Sequence, residues 1–270
     1  MQTPPYTGSV LDRILEARLL EVEHRKKVLP ETALKYGVKA ATPLRNFSAA
    51  LTRPGINVLA ELKPASPARG VIRDPFDPVA LAAALESAGA VALSVLTESE
   101  FFRGSLKNLR EARKSVQLPV LRKDFIFDPW QVWETRANDA DSFLLIVAVL
   151  REQQLIELIA LGRELGMEPV VEVHTSEDLS RAIAAGAKII GVNNRNLKTL
   201  DVRVETSFEL IKEIPDECIV ISESGIRTAA ELGKLRAAGF DAFLIGTSLM
   251  VAPDPAAALS DLLGGVPHGE

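Results

Sequence analysis

The chain has 270 residues, 47% of them hydrophobic, with 31 basic and 36 acidic side chains and a formal net charge of −5. The length suits one α/β barrel of about 250 residues, and the apolar content is ample for its core. The even mixture of charges on a slightly acidic chain excludes a general polyanion binder, and with it a nucleic-acid partner, while leaving room for a local positive site that holds a small phosphorylated ligand.

The start, MQTPPYTGSVLDRILEAR, carries two prolines and early charges, so it lacks the core of a signal peptide. Next, VLDRILEARLLEVEHRKKV reads as one amphipathic helix stopped near Pro30, and FSAALTRPG as a shorter one stopped at Pro54. Residues 1–54 are therefore expected to form a helical extension, serving either as packing or as a lid over a barrel mouth. The sequon Asn46-Phe47-Ser48 is taken as a chance match, because nothing routes the chain to secretion. The sole cysteine, Cys218, excludes an intramolecular disulfide and fits a reducing compartment. No apolar run reaches the roughly 18 residues of a membrane helix. The expectation is a cytoplasmic protein with no membrane partner, monomeric or weakly dimeric.

From residue 55 to 265, short β-branched runs alternate with longer segments of helical spacing, the pattern of βαβ units. The predicted strands are 57–63, 91–96, 119–125, 142–147, 169–173, 188–193, 218–223 and 242–246. Between them DPVALAAALESAG, SLKNLREARKSV, REQQLIELIALGREL, SEDLSRAIAAGA, ETSFELIKEI and RTAAELGKLRAAG place apolar residues three and four apart, several opening on Ser, Thr or Asp as N-caps. Eight nearly apolar parallel strands need cover on both faces, which a (β/α)8 TIM barrel ringed by helices provides. The competing architecture, a doubly wound open sheet, usually announces its nucleotide site with GxGxxG or GxxxxGK[ST]; neither occurs here. The whole chain, 1–270, reads as one domain.

The strands stop being apolar at their C-terminal ends. Side chains alternate along a strand, so Leu59, Glu61 and Lys63 share one face, as do Leu121, Lys123 and Phe125. Val170 and Glu172 share another, as do Ile189, Gly191, Asn193 and Arg195, and Ile221 and Glu223. In each case a charge continues the inward apolar row to the end where barrel enzymes assemble their active sites. The plain alternative is a set of interior salt bridges, but five strands delivering charge to one mouth would cost much desolvation for packing alone. Arg122 and Asp124 fall off that parity and are read as structural. The loops Ser224-Gly225 and Gly246-Thr247-Ser248, after strands seven and eight, match the recurrent phosphate site of these barrels. His24, His174 and His268 are too dispersed for a metal site, Trp130 and Trp133 are read as packing, and Cys218 as a small buried residue at the start of strand seven.

AELKPASPARG, LSVLTESEFFRGS, LRKDF, LLIVAVL, MEPVVEVH, GVNNRNL, SESGI and FLIGTSLM, in this order and spacing, resemble the motifs of the indole-3-glycerol phosphate synthase family. The resemblance covers the barrel and extends into LDRILEAR. It implies ring closure, decarboxylation and dehydration of 1-(2-carboxyphenylamino)-1-deoxyribulose 5-phosphate, a carboxy-lyase reaction of tryptophan biosynthesis that needs no metal and no cofactor. By resemblance Lys123 is the acid for ring closure with Glu172 opposite it, while Lys63 and Glu61 form a second pair serving dehydration. Lysines suit this work when desolvation and each other's charge lower their pKa.

The same resemblance puts phosphate on Ser224, Gly225, Gly246 and Thr247, and the anthranilate carboxylate near Arg195, Asn193 and Ser66. Glu223 is placed on sugar hydroxyls or the amino nitrogen, and Phe102, Phe125, Leu144, Leu197 and Leu244 around the aromatic ring. Pro64, Ala65 and Arg69 depart from the usual residues of loop one, and Thr247 from the serine of some relatives. Two rivals stand beside this reading: another phosphosugar barrel enzyme such as phosphoribosylanthranilate isomerase, which would not explain Lys63, Lys123, Glu61 and Glu172 together, and a non-catalytic phosphosugar-binding barrel, which has no use for the lysines and glutamates.

Overall fold

The structure, a computed structural model, describes residues 9–265. Eight strands, β1 Asn57–Leu62, β2 Ala92–Leu96, β3 Val120–Lys123, β4 Ser142–Ile146, β5 Val170–Val173, β6 Ile189–Asn193, β7 Ile219–Glu223 and β8 Ala242–Ile245, close into a barrel in chain order, β8 pairing with β1. Every pair is parallel. This is a TIM barrel with N-terminal helices, and its two apolar layers separate by strand parity. Leu59, Leu121, Val170, Ile189, Ile221 and Leu244 fill the interior. Val58, Ala60, Val120, Val171, Ile190 and Phe243 face the ring of helices. Because both faces are buried, the strands read as apolar runs, and only the period of two tells inside from outside.

Helices α1 Val10–Val28, α2 Glu31–Val38 and α3 Phe47–Leu51 precede the barrel. α1 has the bounds that the sequence predicts, and its start is fixed by a capping box in which Ser9 and Asp12 satisfy each other's backbone N–H at 3.2 and 3.1 Å. α2 was not expected. It buries only Leu34 of its own residues and is held from outside, packed along α6 (Pro129–Ala137), whose Trp130 donates its indole N–H to the Leu29 carbonyl at 2.8 Å. α3 lies at the N-terminal end of β1, where the Asn57 amide donates to the carbonyls of Leu51, Arg53 and Asp241. Asn46, the sequon residue, is its N-cap, accepting from Ala49 N–H at 2.9 Å.

The remaining helices are α4 Pro78–Ser87, α5 Leu106–Ser115, α7 Glu152–Glu164, α8 Ser176–Ala184, α9 Glu205–Leu210, α10 Ala229–Ala237, α11 Thr247–Val251 and α12 Pro255–Gly264. The predicted ETSFELIKEI helix is shorter than expected: it ends at Leu210 and tightens into a 3-10 turn over Ile211–Glu213. Two further elements were not expected, α12, capped by Asp254, and a small hairpin pairing Ala65–Ser66 with Gly70–Val71. Several strands stop one or two residues short of the predicted end, at Leu62, Lys123, Ile146 and Ile245, because each chain there turns into its loop and loses its ladder partners. Cys218 corrects the reading too. It precedes β7 and is half-buried, its thiol pushed up by burial and by Glu217.

α1 is fastened to the barrel by a buried charge network. Asp124 accepts from Arg18 at 2.7 Å, from Arg122 at 3.0 Å and from Thr97 at 2.5 Å, and Arg122 also reaches Glu134 at 2.9 Å. Arg25 of α1 pairs with Glu134 from the other side, and Lys26 with Asp128 at 2.7 Å. Arg18, Arg122, Asp124 and Glu134 have no exposed side-chain surface. Arg122 and Asp124 thus serve this network, and Asp124, despite its outward parity, also lines the cavity at the barrel mouth. No helix among the described residues is long and apolar enough to cross a membrane.

Candidate active site

Above the apolar interior, the odd strands contribute a layer of four charged side chains: Glu61 from β1, Lys123 from β3, Glu172 from β5 and Glu223 from β7. Four residues from alternate strands are the packing unit of this barrel, so one turn of the interior has been given over to charge. The Lys123 ammonium donates to Glu172 at 2.7 Å and to Glu223 at 2.6 Å. Lys63, one residue past the end of β1, donates to Glu61. The side chains of Glu61, Glu172 and Glu223 are 5%, 3% and 1% exposed, those of Lys63 and Lys123 14% and 12%. The carboxylates are sunk at the base of the mouth, and the lysines reach its floor.

Two glycines make room for this layer. A Cβ on Gly191 would stand 2.2 Å from Glu223 Oε1, and one on Gly246 would stand 2.1 Å from Glu61 Oε2. At either place the space a side chain would need is taken by a neighbouring strand's carboxylate, which would have to move.

Three carboxylates beside two lysines decide the proton balance. Burial alone would push Lys123 down, but Glu172, Glu223 and Glu61 more than reverse it and hold the ammonium above its ordinary range. The expectation of a lowered lysine pKa is therefore wrong for Lys123, because its nearest neighbours are carboxylates and not the other lysine. The strain appears on Glu223 instead, which burial, reinforced by Glu172 and Glu61 against the pull of Lys123, pushes up to about 7. Its Oε1 is buried with no hydrogen-bond partner among the described residues.

Around the layer, Asn193 donates to Glu172 Oε1 at 3.0 Å and accepts the Arg195 N–H at 2.9 Å. The Arg195 guanidinium donates to the Leu200 carbonyl at 2.8 Å. His174 sits behind, its Nδ1 2.7 Å from the Asn193 carbonyl oxygen and outside the cavity lining. His24 is exposed on α1, and His268 lies outside the described residues. Trp130 is buried, with Arg25 over its ring, and Trp133 carries Lys35 over its ring.

A cavity of about 440 Å³ opens over the layer, and all the residues proposed from the sequence line it. On one side the rings of Phe102 and Phe125 meet at 6.2 Å between centroids, tilted by 42°, and Leu144, Leu197 and Leu244 also line the cavity. On the other, Ser224 and Gly225 follow β7 with φ of +69° and +86°, and Gly246 leads into α11 at Thr247. Positive φ at a serine is uncommon and marks a backbone held in a tight turn. Ser66 lies in the hairpin after β1.

Sequence reasoning missed part of the lining. Leu96 and Ile146 complete the apolar wall, and the inward parity of β2 and β4 would have found both. Val10, Leu11 and Ile14 of α1 also line the cavity. Their helical spacing reads as ordinary packing, and only the tertiary path places the first turns of α1 at the mouth. Arg227 and Arg69 line the rim, and their charge, after burial, helps lower the Arg195 pKa.

Among known proteins, residues 11–262 match the family model described as indole-3-glycerol phosphate synthase. The indole-3-glycerol phosphate synthase of Rhodococcus opacus (strain B4) is 48% identical over 260 residues, covering 96% of this chain and 97% of that protein. The corresponding protein of Chlorobium chlorochromatii (strain CaD3) is 46% identical over 247 residues, covering 90% and 96%. Among solved structures, 3-hexulose-6-phosphate synthase superposes with a TM-score of 0.63 at 14% identity, over 78% of this chain and 100% of that one. A mandelate oxidase mutant superposes with a TM-score of 0.62 at 19% identity, over 88% and 84%. The last two share the fold alone.

Proposed function

The chain belongs to the indole-3-glycerol phosphate synthase family, and from that premise we propose how its own residues divide the work. The reaction is that of the family, a carboxy-lyase step of tryptophan biosynthesis. 1-(2-carboxyphenylamino)-1-deoxyribulose 5-phosphate closes to indole-3-glycerol phosphate with loss of CO2 and water.

In our reading, the ring carbon that bears the carboxylate attacks the C2 carbonyl while Lys123 gives its proton to the carbonyl oxygen. A lysine held protonated by three carboxylates still delivers that proton, because the alkoxide forming at C2 is a stronger base than any amine. Glu172 and Glu223 hold the ammonium between them. CO2 then departs, leaving its bonding electrons to restore the aromatic ring. For dehydration, Lys63 protonates the departing C2 hydroxyl and Glu61, its partner, takes the proton from C1. The new double bond completes the indole.

Substrate orientation follows from the two sides of the cavity. The phosphate rests on the Ser224-Gly225 turn and the Gly246-Thr247 start of α11, where backbone N–H groups and left-handed turns favour an anion. The carboxylate meets Arg195, with Asn193 and Ser66 beside it, since a guanidinium presents paired donors to a carboxylate. The ring occupies the slot of Phe102, Phe125, Leu144, Leu197 and Leu244, and Glu223 contacts sugar hydroxyls or the amino nitrogen. The substrate is a free sugar phosphate, and the same reading places the enzyme in the cytoplasm.

The observation that carries the assignment is Lys123, bonded at 2.7 and 2.6 Å to two carboxylates in a layer where a barrel otherwise packs apolar side chains. The test is to mix purified, EDTA-treated protein with the substrate and follow indole fluorescence. Product formation without added metal is the expected result. Folded protein that binds a reduced substrate analogue yet forms no indole would reduce the site to a binding barrel.

A further inference from the structure

Glu98 is used by nothing in the reaction just described, yet it is 1% exposed and ends in the loop between β2 and α5. Its carboxylate accepts three successive backbone N–H groups, from Glu100, Phe101 and Phe102, each at 2.9 Å. Its own carbonyl accepts from Gly104 at 2.7 Å. Arg103, between these bonds, sits at φ +52°, and a Cβ on Gly104 would meet the Leu96 carbonyl at 2.3 Å. The loop is thus wound around the carboxylate and pressed onto the end of β2. An ionised carboxylate, with two oxygens that accept and never donate, satisfies all three donors with no O–H of its own left to place. Burial pushes the Glu98 carboxyl up, and the three N–H groups work against that shift.

The loop has two consequences for the site. It sets the Phe102 ring 6.2 Å from that of Phe125, on the aromatic side of the cavity. Its Phe102 carbonyl also accepts the Ala65 N–H at 3.2 Å, and Ala65 stands between Lys63 and Ser66. We propose that Glu98 is a positioning residue: its carboxylate fixes the Phe102 wall of the aromatic slot and, through the Phe102 carbonyl, the strand-one loop that carries Lys63 and Ser66. This rests on the assignment of the Phe102 side of the cavity to the anthranilate ring.

The test compares Glu98→Gln and Glu98→Asp with the parent enzyme and with Phe102→Ala, measuring kcat and KM for the full substrate and the affinity for ribulose 5-phosphate, which lacks the ring. Glu98→Gln exchanges one acceptor for a donor that faces an N–H, and Glu98→Asp is one methylene short of the loop. Both are expected to raise KM, Glu98→Gln by about tenfold, the upper range of one aromatic contact, with ribulose 5-phosphate affinity within about twofold. The KM losses from Glu98→Gln and Phe102→Ala should sum to less than full additivity, because the ring-wall part of the first acts through the second, while Glu98→Gln alone should also lower kcat, through the loop that carries Lys63. Unchanged KM, equal weakening of both ligands, or additive losses would overturn the positioning role. If Glu98→Gln does not fold, the same comparison with Glu98→Asp decides it. A parent enzyme that forms no indole would overturn the underlying site assignment as well, which separates that failure from a failure at Glu98 alone.

Discussion

Replacing Arg18 by Met keeps most of the apolar stem and removes only the guanidinium. In the parent protein the fully buried charges of the α1 network balance, Arg18 and Arg122 against Asp124 and Glu134. Arg18→Met leaves Arg122 as the one fully buried guanidinium against Asp124 and Glu134, with the partly exposed Arg25 still reaching Glu134, and breaking a buried pair in this way costs about 3–5 kcal/mol. For a barrel of this size that lowers Tm by roughly 6–20 °C, measurable by circular dichroism.

The sign of the pH dependence follows from Asp124. Burial opposes its ionisation, but Arg18 and Arg122 hold its pKa below the ordinary value. Its contribution is therefore present above the unfolded pKa and lost as pH falls toward the folded one. The gap between parent and variant should be full at pH 7 and should narrow below about pH 4. The second variant, Arg18→Met with Asp124→Asn, leaves Arg122 and Glu134 paired and should recover part of the loss. A Tm within about 2 °C of the parent at pH 7 would refute the reasoning, and so would a double variant worse than the single one.

Gly191→Ala places a methyl 2.2 Å from Glu223 Oε1, so the carboxylate must leave Lys123. Turnover should drop by about 10²-fold, as for a catalytic group displaced by an ångström, while the barrel still unfolds cooperatively; parent-like turnover would show that the layer tolerates the shift. Arg195→Ala should raise KM with kcat nearly unchanged, and a deficit confined to kcat would remove Arg195 from the carboxylate. Glu223, raised to about 7, costs folding stability as pH climbs from the ordinary carboxyl range through that value, because the folded state then must ionise a buried acid. Urea titrations of Glu223→Gln should therefore show the variant gaining on the parent between pH 5 and pH 8, and a pH-independent difference would contradict the shift.

The period of two made the barrel and its charged layer legible, because each inward row ran Leu59 to Glu61, Leu121 to Lys123, Val170 to Glu172 and Ile221 to Glu223 without a break. α1 was legible to the residue because its cap and its stop are both local. α2 escaped because ETALKYGV buries one side chain of its own and is stabilised by α6, a contact that no local pattern encodes. The strand ends ran long because a ladder stops where a neighbour turns away, which the chain's own residues do not record. Gly191 looked like an ordinary strand glycine, and Gly246 like a phosphate-loop glycine alone. Their packing against Glu223 and Glu61 exists only once the barrel has closed. Lys123 was misjudged for the same reason: its pKa is set by three carboxylates from three other strands. Glu98 left no signal at all, since its partners are backbone N–H groups.

The most direct test of the account follows CO2 release and indole formation together in single turnovers of Lys123→Ala and Lys63→Ala. With Lys123 as the acid for ring closure, Lys123→Ala should bind substrate within about tenfold of the parent and lose both signals by 10²–10⁴-fold, the usual contribution of a positioned acid. Lys63→Ala should release CO2 and fail to form indole. CO2 released at the parent rate by Lys123→Ala would contradict the assignment and move the first proton transfer elsewhere in the layer.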